Sequence, residues 1–301
     1  MNIPQLFEQL IEGRDLDAES MQTLMRQCMR GQLDDGQIAA FLALIRMKGE
    51  TVTELTAAAD VMQEFAHHIN LGDDLVDIVG TGGDGKNTFN ISTVSSFVIA
   101  AAGAKVAKHG NHSVSSKSGS ADMLLKAGFN FDLSASTLQR CIDECHVVFL
   151  FAPHFHQAMR HARLARQQLG IRTLFNLLGP LSNPARVKKQ VVGVFDHQWV
   201  MPVAEVLANT GSEHALVAHA TDGLDEISIA AETKIVEYHR GQFKQWSIHP
   251  EQYGLSHPSL TSITVKTPAE SLYLAQSVLA GEKGAARDIV LLNSAAAIYC
   301  S

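Results

Sequence analysis

From Gly85 to Ala121 the chain runs for 37 residues without an aspartate or glutamate, in a protein of formal net charge −7. This stretch contains most of GTGGDGKNTFNIST and all of AKVAKHGNHSVSSKSGSA. Glycines that leave backbone N–H groups open, hydroxyl and amide donors, and Lys86, Lys105, Lys108 and Lys117 together describe an anion cradle. Phosphate is the anion that loop nests and helix N-termini suit best.

GTGGDG, Gly80 to Gly85, satisfies G-x-G-x-x-G formally and follows a strand-like run. A dinucleotide site would also need a helix opening at that point and an acidic residue about 20 positions on. Here the next helix is expected to start near Ser92 or Thr93, and positions 100 to 110 offer lysines. A phosphate loop or a purely structural glycine turn remain. In NTFNIST, Asn87, Thr88, Asn90, Ser92 and Thr93 are possible donors at a helix N-terminus, and Ser92 is equally readable as a simple cap. Lys108, His109 and Asn111 close a strand, the end where α/β proteins bind ligands. His109 reads as a structural hydrogen-bonding residue or as a catalyst.

Asp225 and Glu226 in DGLDEIS follow another strand. Such a pair is solvated charge in most settings; facing a phosphate cradle it becomes a Mg2+ ligand set, because magnesium prefers hard oxygens and shares them with phosphates. A second acid-free run, Cys145 to Phe195, holds Arg160, Arg163 and Arg166 at spacing three, then Arg172 and NLLGPLSNPA. These arginines are either a solvated basic flank or a source of a planar guanidinium for a substrate carboxylate.

The elements that must position these residues follow from periodicity. Residues 4 to 69 read as several short helices, with Asp34 or Asp35 as a cap and Gly49 as a stop. Strand patterns follow in LVDIVG, AKVAKHG, HVVFLFA, KQVVGVF, HALVAHA and TKIVEYHRG, with helical stretches between them. That alternation after a helical start describes an α/β domain preceded by a smaller α domain. At 301 residues and 46% hydrophobic content the chain can bury a large core. Its negative balance argues against nucleic acid or an acidic membrane surface as partner. The start MNIPQLFEQL has no secretory pattern, no apolar run is long enough for a bilayer, and Cys28, Cys141, Cys145 and Cys300 include no CxxC. A cytoplasmic, reduced compartment is expected; a metal shared by Cys141 and Cys145 is a remote alternative. The last segment stops inside an apolar helix pattern, so further C-terminal structure is expected beyond Ser301.

GTGGDGKNTFNIST, KHGNHSVSSKSGSAD, FAPHFHQAMRHARLARQQLGIRTLFNLLGPLSNP and DGLDEIS, in that order, resemble the anthranilate phosphoribosyltransferases of tryptophan biosynthesis over nearly the whole chain. Pyrimidine nucleoside phosphorylases share the fold and are the nearest rival; GTGGD and LGIRTLFNLLGPLSNP favour the transferase. A fold-sharing binding protein without catalysis is the third reading, and the intact Asp225–Glu226 pair and negative charge speak against it.

The resemblance implies a small helical domain plus a larger α/β domain with a central, mostly parallel sheet. Residues 1–69 with 167–185 would form the helical, dimerising part, and 70–166 with 186–301 the part that binds phosphoribosyl pyrophosphate. It implies Mg2+-assisted transfer of the phosphoribosyl group to the amine of anthranilate, in a homodimer. Gly80, Gly83, Asp84, Thr88, Asn90, Ile91, Ser92, Thr93, Lys108, Gly110, His112, Ser113, Val114, Ser115, Ser116 and Ser120 would hold phosphoribosyl pyrophosphate or line its site. Ser92, Asp225 and Glu226 would bind magnesium. Asn111 and Arg166 would hold anthranilate beside Gly80 and His109. No acid or base is assigned, because an aromatic amine is already unprotonated near neutral pH. One departure stands out: the family pattern has Arg after KHGN, and His112 here removes a permanent cation.

Overall fold

The computed structural model describes residues 2–113 and 117–301; Val114, Ser115 and Ser116 lie outside the described residues. The chain opens with α1 (Ile3–Ile11), α2 (Ala18–Met29), α3 (Asp35–Lys48) and α4 (Val52–Glu64). Asn2, Asp34 and Thr51 cap α1, α3 and α4 in reciprocal boxes with Gln5, Gln37 and Glu54, and Gly49 ends α3 at φ 92°. Glu54 does more than cap. Its fully buried carboxylate accepts from Leu16 N at 2.8 Å and from Lys48 Nζ at 2.9 Å, so one side chain joins the α1–α2 turn to the end of α3 and the start of α4.

The sheet begins with β1 (Leu75–Gly80), followed by α5 (Ile91–Ala101), β2 (Lys105–Gly110), α6 (Ser120–Lys126), α7 (Ala135–Cys145) and β3 (Val147–Phe151). The chain then crosses to the helical side through α8 (Ala152–Phe155), α9 (Arg160–Leu169) and α10 (Leu174–Leu178). It returns as β4 (Lys189–Gly193), α11 (Val200–Asn209), β5 (His214–Ala220), β6 (Thr233–His239) and β7 (Gln242–Ile248), and closes with α12 (Pro268–Leu279) and α13 (Ala285–Cys300). Strand order is β3-β2-β1-β4-β5-β6-β7. The first five strands are parallel; β6 and β7 are antiparallel. Because β1 leads outward to β2 while β4 lies on its other side, the strand order reverses between β1 and β4. Ligands of open α/β sheets bind at such a switch point.

Both faces of the central strands are covered, which is why they read as nearly continuous apolar runs. Period-two alternation divides them. Val192, Ala215 and Val217 pack with α1–α4 and α9–α11, whereas Val191, Leu216 and Ala218 pack with α5, α12 and α13. α9 and α10 lie against α2, α3 and α4 through Ala162, Ala165, Leu174 and Leu178. The strand β7 is absent from the sequence reading. Its residues QFKQWSI show no apolar alternation, and four of its positions are exposed. Arg240 and Gly241, at φ 50° and 81°, make the two-residue turn that brings it back along β6. No helix among the described residues is long and apolar enough to cross a membrane.

Replacing Glu54 with alanine strands the Leu16 N–H and leaves Lys48 with Asp15 as its only salt-bridge partner among the described residues. A loss of about 3 kcal/mol is expected, read as a lower urea midpoint at unchanged slope, because the buried N–H loses its acceptor and the buried ammonium its buried partner.

Candidate active site

A pocket opens at the switch point, above the C-terminal ends of β1 and β2. Its walls are the GTGGDG loop, the N-terminus of α5, the segment from Lys108 to Ser113, the approach to α6, Arg166 with Phe175–Pro180, and the loop carrying Asp225 and Glu226.

Two glycines let that last loop lie across the strands. Gly80 and Gly193 are register partners. A Cβ on Gly193 would sit 1.6 Å from the Asp225 carbonyl oxygen, and one on Gly80 would sit 2.5 Å from Asp225 Oδ2. With no side chain there, Asp225 Oδ2 accepts from Gly82 N at 2.6 Å. From behind, Asn293 on α13 clamps the loop, accepting from Ile227 N and donating to Ile227 O, both at 2.9 Å.

The electrostatics are unbalanced. Burial, then the neighbouring Asp84 and Glu226, push Asp225 well above the usual carboxylate range. Burial raises Glu226 to about 7 against the opposing pull of Lys108 and hydrogen bonds from Ser92. Lys108 is 3% exposed, and its ammonium donates to Ile78 O at 2.6 Å and Ser92 Oγ at 3.1 Å. Burial lowers its affinity for a proton, while Asp77, Glu226 and Asp225 oppose that. Asp77 lies beneath the pocket, pushed up to about 6 by burial, with Asn183 donating to it at 2.8 Å. Asp225 and Glu226 thus share the Lys108 ammonium with Asp77. The donor set is hard oxygen, and burial with little positive charge nearby raises the Asp225 and Glu226 carboxyls, which fits a divalent cation of the magnesium kind.

The opposite wall is different. Arg166 stands 5.3 Å over the Phe175 ring, with no acidic partner among the described residues, and burial lowers its pKa. His109 is 5% exposed and is brought down to about 3 by burial first and then by His156, whose ring lies 5.2 Å away. It is therefore a neutral imidazole at any physiological pH. One ring nitrogen bonds the Gly179 backbone and Nε2 has no protein partner among the described residues.

All the expected site residues within the described chain line this one pocket, Gly80, Gly83, Asp84, Thr88, Asn90 through Thr93, Lys108 through Ser113, Ser120, Arg166, Asp225 and Glu226. Several expectations are corrected in detail. The helix starts at Ile91 with Asn90 as its N-cap, so Ser92 is in the first turn and not a cap. The Asn90 side chain is engaged by Ser118 and Ser271, tying α5 to the approach to α6 and to α12. Of the four lysines only Lys108 lines the pocket; Lys105 is exposed at the far end of β2, Lys86 lies beside Gly223, and Lys117 is exposed. Arg160 and Arg163 are exposed on α9, and Arg172 stacks 4.4 Å over Phe195, leaving Arg166 as the arginine of the site. His112 Nδ1 pairs with Asp122 Oδ1 at 2.6 Å, and Asp122 also accepts from Ser113 N and Gly119 N. Sequence reasoning missed Thr81, Phe89, Phe175, Asn176 and Pro180 as lining residues and the supporting Gly193 and Asn293. The NLLGPLSNP block was the available signal for Asn176 and Pro180; for Gly193 and Asn293 there was none.

With that geometry in place, the likeness to known proteins is specific. Residues 4–66 match the glycosyl transferase family helical bundle domain, and residues 72–301 match the glycosyl transferase family a/b domain. A protein of Legionella pneumophila (strain Paris) named anthranilate phosphoribosyltransferase is 66% identical over 296 residues, covering 98% of this chain and 86% of the relative. One of the same name from Hydrogenovibrio crunogenus is 50% identical over 303 residues, covering 100% and 89%. The crystal structure of anthranilate phosphoribosyltransferase from Thermus thermophilus superposes with TM-score 0.90 at 39% identity, covering 98% of this chain and 88% of that one. The Saccharomyces cerevisiae enzyme in complex with PRPP and Mg superposes at 0.89 and 26% identity, covering 99% and 88%. By sequence over its whole length and by fold, the chain belongs to the anthranilate phosphoribosyltransferase family of glycosyl transferases.

Proposed function

We propose that the chain transfers the 5-phosphoribosyl group of phosphoribosyl pyrophosphate to the amine of anthranilate, releasing pyrophosphate, as a step of tryptophan biosynthesis. The observation that carries the reading is one pocket with two chemistries: an oxygen-rich wall short of positive charge, and Arg166 over an aromatic ring with no acid of its own among the described residues.

Departure of pyrophosphate leaves positive charge on the ribose and concentrates negative charge on the leaving group. Asp225, Glu226 and Ser92 would hold Mg2+, which supplies charge neutralisation at the departing oxygens. Lys108, fixed by Ile78 O and Ser92 Oγ, adds a cation that needs no reorganisation during the reaction. Backbone N–H groups of the GTGGDG loop and the N-terminus of α5 face the phosphates. Arg166 pairs with the anthranilate carboxylate and aims its amine, and positioning supplies much of the rate. His109, neutral with Nε2 unbonded among the described residues, lines the anthranilate side without serving as a general base.

The domain division into 1–69 with 167–185 and 70–166 with 186–301 belongs to the same proposal and is supported by the packing of α9 and α10 on α2–α4. So does a homodimer formed through the helical part, supported by exposed Ile11, Met47, Leu164 and Ile171. The compartment we assign is cytoplasmic.

The deciding experiment follows anthranilate fluorescence with phosphoribosyl pyrophosphate, with and without Mg2+, from pH 6 to 8. Magnesium-dependent loss is expected; phosphate-dependent cleavage of a pyrimidine nucleoside in its place would overturn the reading. Glu226 is raised to about 7, so below that value the metal must displace a proton. With Asp225 raised as well, the Mg2+ concentration for half-maximal rate should therefore rise by at least about tenfold per pH unit below 7. Arg166→Ala should raise KM for anthranilate about 30-fold, with KM for phosphoribosyl pyrophosphate within about threefold, since a charged hydrogen-bonded contact contributes about 2 kcal/mol. Equal losses for both substrates would remove that role. Gly193→Ala must push the Asp225 backbone away, so it should raise the Mg2+ requirement by at least about tenfold while circular dichroism shows a folded chain.

A further inference from the structure

At the other end of the sheet, His214 opens β5 and His239 closes β6, and the two are direct antiparallel register partners. Glu237 precedes His239 by two residues, so all three side chains project from the same face. Their ligand-type atoms all lie within 4.8 Å of one another, and His214 Nε2 is 3.0 Å from Glu237 Oε1. Two ligands at i and i+2 on one strand and a third directly across from them is an arrangement that a sheet can preorganise for one ion.

We propose that His214, Glu237 and His239 form a binding site for a borderline transition-metal ion, Zn2+ being the best fit. Two imidazoles and a carboxylate are the zinc donor types, three protein ligands leave a fourth position for water, and hard Mg2+ would not compete for nitrogen. The surroundings support it. Glu237 is buried and hydrogen-bonded to Tyr299, His214 and Trp246. Tyr299 Oη at 2.8 Å and Trp246 Nε1 at 3.2 Å fix the direction of that carboxylate, the part that outer hydrogen bonds play around metal ligands. The nearby Lys189 turns away to Asp74.

A purely structural network explains His214 and Glu237 but not His239. That residue is half-buried, and its ring nitrogens have no hydrogen-bond partner among the described residues; its ring stacks 4.2 Å from His214 at 15°. With bonds near 2.0–2.1 Å, tetrahedral ligand atoms stand roughly 3.4 Å apart. Closing the site therefore requires the His239 ring to leave the stack and turn inward by about an ångström, a side-chain rotation without backbone change. The site lies about 20 Å from Asp225, the length of β5 at some 3.4 Å per residue, so it is separate from the proposed Mg2+ position.

The test uses metal-stripped protein carrying no polyhistidine tag, titrated with Zn2+ by calorimetry and with Co2+ by visible absorption, in saturating Mg2+. The expected result is one equivalent bound with a tetrahedral Co2+ spectrum. His239→Ala should weaken Zn2+ binding by at least about 100-fold and remove the spectrum, and Tyr299→Phe should weaken binding about tenfold. Anthranilate consumption with Mg2+ should be unchanged in His239→Ala. Absence of stoichiometric binding by the unaltered chain, or equal affinity in His239→Ala, would overturn the proposal.

Discussion

Asp225 is buried and Glu226 half-buried beside Asp84, with Lys108 the one ammonium among the described residues to face them, and the architecture around the pocket serves to keep that arrangement in place. Left to itself such a cluster would open to water or hold its protons. It is kept closed by backbone contact. Gly80 and Gly193 bring β1 and β4 within reach of the loop, Gly82 N bonds Asp225, and Asn293 grips Ile227 from the far side. The unfavourable energy of carboxylates without matching cations would be offset by a divalent ion and phosphates, the ligands of the proposed function.

The position of the cluster follows from topology. Strand order reverses at β1 and β4, so the loops after β1 and β5 meet over neither a helix nor a crossover. The fold must cover both faces of these strands, and the covering elements do additional work. α13 buries Ile289, Val290 and Ala297 on one face and contributes Asn293 to the loop clamp. On the other side, α9 and α10 pack into the helical core while presenting Arg166 and Phe175 to the pocket. The two walls of the site are thus carried by two different hydrophobic clusters, and their separation is set by how the helical part sits on the sheet.

Much of this was legible in sequence because its signals are local. Glycines, donors and the lysine of GTGGDGKNTFNIST and KHGN lie within a few residues of one another, and the strand ends before them are apolar. What was not legible depends on partners distant in sequence. Gly193 matters because Asp225 crosses it, Asn293 because Ile227 lies 66 residues earlier, and Arg166 is singled out from Arg160 and Arg163 only by the direction α9 takes. Lys105 and Lys108 share a strand, but a strand has two ends, and only one meets the site. Spacing alone could not separate Ser92 as cap from Ser92 as partner of Lys108 and Glu226; the backbone of Asn90 decided it.

The junction of β1 and β2 shows how the sheet itself yields to the site. Their ladder is registered at Leu75–Lys105 and Val76–Val106, short of the strands' C-terminal halves. Beyond it, backbone groups that would bond across are met by side chains. The Asn183 amide donates to Ala107 O at 2.8 Å, Asp77 accepts from His109 N at 3.4 Å, and Lys108 Nζ donates to Ile78 O. Asn183 also donates to Asp77, so the chain returning from the helical part is wedged between the two strands. Splaying the strands makes room for a buried ammonium where a ladder hydrogen bond would stand, and filling the gap with paired polar groups satisfies the backbone. Lys108 is therefore fixed by the same bonds that hold the opened sheet together. In the proposed reaction its charge would face the leaving group without the reorganisation that a lysine on a flexible loop would need.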